Sequence, residues 1–338
     1  MTVEKRKAVA LYSGGLDSIL AIRLIQQQGI EVIGLYLKTP FLKEEPDPYG
    51  EKYLNIPLIV KDIFPYFRKL LLHPKYGFGK NENPCIDCRI LMFKKAGELM
   101  VREKASFVIS GEVLGQRPMT QNKNNLFLIS KESGYGDFIL RPLSAILLPE
   151  TKPERTNIVN RSRLMDIQGR SRKRQMELAK RWGIVSYPSP AGGCKLTEPG
   201  FAHRMKDLLS KGYYDSNDIE LLKVGRHFNI HQSLKLVVGR NEKENKIILS
   251  LAKPDDFLLS SSSHKGPISL LRCYSSFEKQ EDELMESLDL AGRITGRYCD
   301  KERDTDLIDI YIREKDSQTK KLLQVTSLSE QDTSHYLI

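Results

Sequence analysis

The most constraining feature of the chain is a short apolar run that ends in a serine–glycine turn and passes straight into a helix-spaced segment. Ala8-Val9-Ala10-Leu11-Tyr12 has the composition of a buried strand. Ser13-Gly14-Gly15-Leu16-Asp17-Ser18 follows, and Leu16, Ile19, Leu20, Ile22 and Leu24 recur at roughly helical spacing up to Gly29. Two glycines at a strand-to-helix turn let the backbone fold tightly and bring its N–H groups to an anion. The helix N-terminus adds a positive dipole end at the same place. Ser13 and Ser18 carry hydroxyls suited to phosphate oxygens. Asp17 repels phosphate directly, so it is read as a Mg²⁺ contact or a brace of the loop. An ordinary Gly turn with polar caps is the competing reading. Six residues in this pattern, at the first strand-to-helix turn, favour a phosphate loop. No Gly-Lys-Ser/Thr follows, so it is not a Walker loop.

Further strands are expected at Val32-Ile33-Gly34-Leu35-Tyr36-Leu37, Ile56 to Val60 and Phe107-Val108-Ile109, with a helix from Arg89 to about Arg102. Strands alternating with helices imply a doubly wound parallel sheet of the α/β class. The alternation weakens after about residue 145. Residues 152–181 hold ten basic side chains against three acidic ones, among them Arg161, Arg163, Arg170, Arg172, Lys173 and Arg174. With a net charge of +10 over 338 residues, this segment is read as a surface for RNA phosphates rather than a merely solvated face. Residues 195–259 read as a smaller α+β unit, and Ser260 to Gly266 as a linker. Three domains are therefore expected: 1–183, 184–262 with Cys194 at its start, and 267–338. No stretch approaches the ~20 apolar residues of a membrane span, and the N-terminal run is too short for a signal sequence. A cytoplasmic protein is expected.

The five cysteines, Cys85, Cys88, Cys194, Cys273 and Cys299, are too few and odd in number for a disulfide framework. Asn83-Pro84-Cys85-Ile86-Asp87-Cys88 precedes a helix, and its Cys-x-x-Cys has three chemical readings: half a zinc site, a redox pair, or part of an iron–sulfur site. The helix N-terminus is expected to favour the Cys88 thiolate. Cys194 follows Ala191-Gly192-Gly193 in a loop of small residues, and Lys195 is expected to favour its thiolate. Cys273 and Cys299 are expected to be plain structural thiols.

The Ser-Gly-Gly-x-Asp-Ser segment is similar to the signature of the PP-loop ATP pyrophosphatases, whose loop holds the pyrophosphate that leaves when a substrate is adenylated. Asn83 to Phe93 resembles the cysteine segment of the tRNA 2-thiouridylases, with Cys88 and Cys194 at the two catalytic positions and Cys85 where Asp is frequent. Ser110-Gly111-Glu112-Val113-Leu114-Gly115-Gln116 with Leu140-Arg141-Pro142-Leu143 resembles the tRNA 4-thiouridine synthases. Together these cover roughly residues 6–200. The resemblance implies ATP and Mg²⁺ held by residues 13–18, with Tyr36 and Gly111 also at the nucleotide. It implies an adenylated nucleobase carbonyl in tRNA, and a sulfur donor protein or sulfide. Three cysteines also resemble the thiolases that ligate a [4Fe–4S] cluster, with Cys85, Cys88 and Cys194 as ligands. A Cys88/Cys194 persulfide relay and a zinc site are the alternatives, and an amidating PP-loop synthetase is the rival activity. Glu112 is read as a ligand of Mg²⁺ or water, or as a solvated cap. Arg141 is read as meeting a phosphate or a carboxylate.

Overall fold

Strand β1 (Lys7–Leu11) is the middle of a five-stranded sheet with β2 (Glu31–Lys38), β3 (Leu58–Asp62), β4 (Phe107–Ser110) and β5 (Ile139–Leu140). The order is β3-β2-β1-β4-β5, and every pairing is parallel. This computed structural model describes residues 6–42, 53–185, 187, 193–212, 214–274, 281–300 and 307–338.

The strands read as apolar runs because both faces are covered. Ala8 and Ala10 turn one way, into a core shared with α1 (Leu16–Gln26) and, further along the chain, with Leu178 and Ala179. Val9 turns the other way, against Leu35, Leu37, Phe93, Ala96 and Val108. After α1 the described helices of the first unit include α2 (Phe64–Leu72), α3 (Cys85–Arg102), α4 (Lys123–Ser133), the single turn α5 (Lys152–Arg155) and α6 (Lys173–Arg181). The expected doubly wound sheet is thus the fold of this unit. The chain runs outward from β1 to β2 and β3, then returns to β4 on the other side. That reversal puts the topological switch point beyond the carboxyl ends of β1 and β4, where such sheets bind ligands.

The chain divides at Thr197/Glu198. The second unit is a six-stranded antiparallel sheet of β6 (Arg226–His231), β7 (Leu234–Val238), β8 (Phe257–Ser261), β9 (Ile268–Cys273), β10 (Leu307–Glu314) and β11 (Lys321–Thr326), in the order β11-β10-β8-β9-β7-β6. Its helices are α7 (Pro199–Ser210), α8 (Ser216–Leu221), α9 (Glu242–Leu251), α10 (Glu281–Arg297) and α11 (Glu330–Ser334). Leu288, Ala291 and Ile294 of α10 pack with Ile308, Ile310 and Ile312. Ile248 of α9 packs with Val237, Leu258 and Leu270.

Two boundaries differ from the sequence reading. Residues 260–266 do not separate domains, because Ser260 pairs with Ile268 and Ser261 with Ile310 inside one sheet. The serines resemble a linker because they are small and polar. A ladder bonds through the backbone, which the side-chain composition does not reveal. Cys194 also falls within the first unit, not at the head of the second.

Candidate nucleotide and cysteine site

The Ser13–Ser18 loop lies at the carboxyl end of the central strand. Gly14 takes φ +73°, the left-handed region that favours glycine. Gly15 precedes α1 in extended conformation, and no side chain caps the helix. The loop is braced from within. Ser18 Oγ donates to Gly15 O at 2.7 Å and stands 3.3 Å from Ser13 Oγ. Ser18 is buried, so it shapes the loop, while Ser13 is exposed. Gly111, just after β4, abuts the loop from the other side. A Cβ there would stand 2.6 Å from Asp17 C and Ser18 N, so only glycine fits. Gly111 thus positions the phosphate loop.

Asp17 is held in a polar chain. Gln116 Nε2 donates to Asp17 Oδ2 at 2.8 Å, and Gln175 Nε2 donates to Gln116 Oε1 at 3.3 Å. Arg172 Nη2 stands 3.9 Å from Asp17 Oδ1. The buried Oδ1 has no hydrogen-bond partner. An oxygen of this kind beside a phosphate loop fits Mg²⁺, which takes one or two carboxylates and completes its shell with phosphates and water.

The cysteine segments reach the same end of the sheet. The helix expected to begin near Arg89 already begins at Cys85. Asn83 is buried and donates from Nδ2 to Cys85 Sγ at 3.0 Å. Asp87 accepts from the Lys75 and Tyr76 amides at 3.1 and 3.0 Å, fixing the loop that precedes the helix. Cys194 forms an antiparallel bridge with Leu42, beyond the end of β2, and Lys195 N donates to Phe41 O at 2.8 Å. Asn81 Nδ2 donates to Thr197 O at 2.9 Å, tying the two cysteine segments together.

Burial dominates the chemistry of the thiols. It pushes Cys88 up to about 12 and Cys194 up to about 11, with each also feeling Cys85. Arg89 opposes the rise at both, and Arg117 at Cys194, without overcoming it. The expected thiolates at the helix N-terminus and beside Lys195 are therefore not what this packing favours: desolvation outweighs the dipole and the nearby cations. Among the described residues no group of three or more His, Cys, Asp or Glu is arranged to hold a metal ion. Cys85, Cys88 and Cys194 are near enough to influence one another's ionisation, without forming a closed ligand set as placed.

The loop after β4 links both halves. Gln116 touches Asp17, and Met119 Sδ lies 3.8 Å from the Asn83 amide that bonds Cys85. Arg117 feels Asp17 and Cys85 together, while burial and Arg89 lower its pKa. Neither Asn83 as a partner of sulfur nor Arg117 is legible in the sequence pattern. The only signal for Arg117 is its place directly after Gln116.

Other expectations fall differently. Glu112 is 2% exposed, bonds Arg141 Nε at 2.9 Å and lies 3.7 Å from Arg89. It is not a solvated cap: Oε2 is taken by Arg141, while the buried Oε1 has no hydrogen-bond partner, and Arg141 meets this carboxylate. Tyr36 and its neighbours Leu35 and Leu37 are buried in the cores at the carboxyl half of β2. The basic segment is largely self-paired. Arg161 bonds Glu154 and Leu148 O, Arg163 bonds Gln27 O, and Arg174 bonds Asp166. Arg172 turns to Asp17. Arg170, Lys173, Lys180 and Arg181 remain exposed. No helix among the described residues is long and apolar enough to cross a membrane.

Residues 3–152 match the family described as thiamine biosynthesis protein (ThiI), and residues 225–337 match the NFACT protein RNA binding domain. A probable tRNA sulfurtransferase of Thermococcus kodakarensis is 31% identical over 144 residues, covering 40% of this chain and 36% of that protein. The tRNA-specific 2-thiouridylase MnmA of Karelsulcia muelleri is 28% identical over 132 residues, covering 36% of this chain and 35% of that one. A solved 4-thiouridine synthetase–RNA complex with bound ATP superposes at a TM-score of 0.35, with 20% identity, over 64% of this chain and 52% of that one. The chain spans about a third of the length of the first two relatives.

Proposed function

We propose that this chain, a PP-loop protein whose first half resembles the tRNA thiolases, adenylates a nucleobase carbonyl in tRNA and exchanges its oxygen for sulfur. One observation carries the reading. A single end of the parallel sheet gathers an uncapped phosphate loop and both cysteine segments, with residues 115–121 touching the loop and the Cys85 segment. ATP phosphates rest on the loop, where backbone dipoles oppose the charge that develops as pyrophosphate leaves. Mg²⁺, held from the Asp17 side, supplies further positive charge there.

The carbonyl oxygen attacks the α-phosphorus, and pyrophosphate departs. A persulfide on one cysteine, charged by an external sulfur donor, then attacks the activated carbon through its terminal sulfur, and AMP leaves with the oxygen. The other cysteine attacks the inner sulfur. This frees the thiolated base and leaves a Cys88–Cys194 disulfide for an external dithiol to reduce. The base must leave its stack to react, which costs least in a loop or bend. RNA is held by the exposed cations Arg170, Lys173, Lys180 and Arg181, and by the unit that resembles an RNA-binding domain. Residues 1–197 carry 32 Lys and Arg against 19 Asp and Glu, whereas residues 198–338 carry 21 against 24. Phosphate attraction therefore belongs mainly to the first unit, and the second must hold RNA by local contacts.

The test is pyrophosphate release with ATP and bulk tRNA, followed by mass analysis of the nucleosides. Cys88→Ser and Cys194→Ser should keep pyrophosphate release and lose the sulfur-containing base. No release with any RNA, or thiolation surviving both changes, would sink the reading, and ammonia-dependent product would favour an amidating synthetase. A second reading, a [4Fe–4S] cluster on Cys85, Cys88 and Cys194, is favoured only by the convergence of the three thiols. About four irons per chain after anaerobic purification, lost in Cys85→Ala, would select it.

A further inference from the structure

Sequence alone places Arg172 in a row of RNA-facing cations, but its setting is different. It immediately precedes α6 and is only 18% exposed, as is Asp17. Its Nε is buried without a hydrogen-bond partner, and its Nη2 lies 3.9 Å from Asp17 Oδ1, beyond hydrogen-bonding distance. Asp17 Oδ1 is itself unpartnered, and so is Oε1 of the wholly buried Gln175. Three under-bonded polar atoms therefore belong to one polar cluster: an oxygen of the phosphate-loop carboxylate, a nitrogen of the arginine beside it, and an oxygen of the glutamine that reaches it through Gln116. A structural ion pair behaves otherwise. Arg141–Glu112 in the same unit closes at 2.9 Å, and Arg174–Asp166, two residues further along, at 2.5 Å. A buried guanidinium nitrogen left without a hydrogen bond is costly unless another acceptor completes it. Arginine also suits phosphate, whose oxygens match its planar fork.

We propose that Arg172 is a ligand of the nucleotide's β- and γ-phosphates, exchanging its long contact with Asp17 for phosphate oxygens when ATP binds. The exchange leaves Asp17, still held by Gln116, to face the cation that accompanies the nucleotide. It also makes the start of α6 part of the ATP site. Of the six cations that the sequence assigns to RNA, this one belongs to ATP. The inference rests on the ATP reading above.

The experiment is calorimetric titration of the full chain with MgATP, MgADP and AMP, in the wild type, Arg172→Gln and Arg172→Lys, with tRNA binding measured in parallel. In Arg172→Gln the MgATP affinity should fall roughly ten- to a hundredfold, as for loss of a charge-assisted hydrogen-bond pair. AMP and tRNA affinities should stay within about twofold, and Arg172→Lys should recover part of the loss because charge remains without the fork. Unchanged MgATP affinity with weakened tRNA binding would return Arg172 to the RNA surface and overturn the proposal. Equal losses for AMP and MgATP with a lowered melting temperature would make it a brace of the loop, and would also overturn it. A wild-type chain that binds no MgATP would refute the ATP reading itself, a result distinct from either.

Discussion

Glu112→Gln tests whether the pair behind the loop after β4 holds the site in place. Glu112 is 2% exposed and Arg141 7%. The substituted amide would keep the shape and one acceptor but leave the Arg141 charge without its carboxylate. Breaking a buried pair by removing one partner costs about 3–5 kcal/mol. Arg141 would retain Ser130 Oγ at 3.1 Å, a weak bond to Leu126 O at 3.5 Å, and the Phe93 face at 5.4 Å. Those contacts place the cost at the lower end, about 3 kcal/mol. In a unit of this size each kcal/mol moves the melting temperature by roughly 2–4 °C, so a fall of about 6–12 °C is expected in the transition of the first unit. Near-ultraviolet circular dichroism with heating measures it. The double change Glu112→Leu with Arg141→Met should regain most of the loss, because apolar side chains can replace a buried pair at little cost. A single variant less than about 1 kcal/mol below wild type would refute the reasoning, since the charge would then have found water or another partner.

Three further outcomes follow from other parts of the molecule. Gly111→Ala forces a methyl group against the Asp17–Ser18 backbone, which cannot yield as a side-chain tip would. MgATP affinity should drop at least about tenfold, and normal affinity would show that the phosphate loop does not need this contact. His227 is buried with Nε2 2.8 Å from Val224 O, and burial, with Lys235 and Arg204 nearby, holds its pKa well below 6.5. The unfolded chain then takes up a proton that the fold refuses, so this contribution is complete above about pH 6.5 and lost as pH falls. Stability should therefore fall as the pH is lowered from about 7.5 to 5.5. Urea unfolding at both values, compared with His227→Asn, checks this, and an equal pH dependence in the variant would dismiss it. Finally, replacing Lys173, Lys180 and Arg181 by Ala should flatten the salt dependence of tRNA binding by about 0.7–0.9 in log–log slope per lost phosphate contact. An unaltered slope would move the RNA surface elsewhere.

Sequence pattern is informative where a short segment makes its own structure. The apolar run, the two glycines and the helix spacing of residues 8–29 describe a strand, turn and helix; the turn and helix bond locally, the strand needs only an apolar composition to be recognised, and the phosphate loop stands where they place it. The parallel sheet is legible for a related reason: strands covered on both faces must be apolar throughout. Even the two cysteine segments can be named, because their residue types are scarce. What each group does once folded cannot be read this way. Glu112 and Arg141 are 29 positions apart, and Asp17 and Gln116 are 99 apart. Neither pairing leaves a periodicity.

The strongest reversal concerns charge. Ten basic residues in 152–181 determine that the region is positive, and nothing about where each charge goes. Only tertiary packing decides that Arg161 bonds Glu154, that Arg163 caps a carbonyl at the end of the first helix, and that Arg172 turns inward to Asp17. The thiols follow the same logic. Sequence puts Cys88 at a helix start and Cys194 beside a lysine, both favourable to a thiolate, but desolvation depends on everything that closes over a group and here it outweighs both. The sequence by itself determined the phosphate loop, the sheet around it and the stock of reactive side chains. The tertiary structure decided which of them are buried, paired or open, because burial and long-range pairing are properties of surfaces brought together from distant parts of the chain.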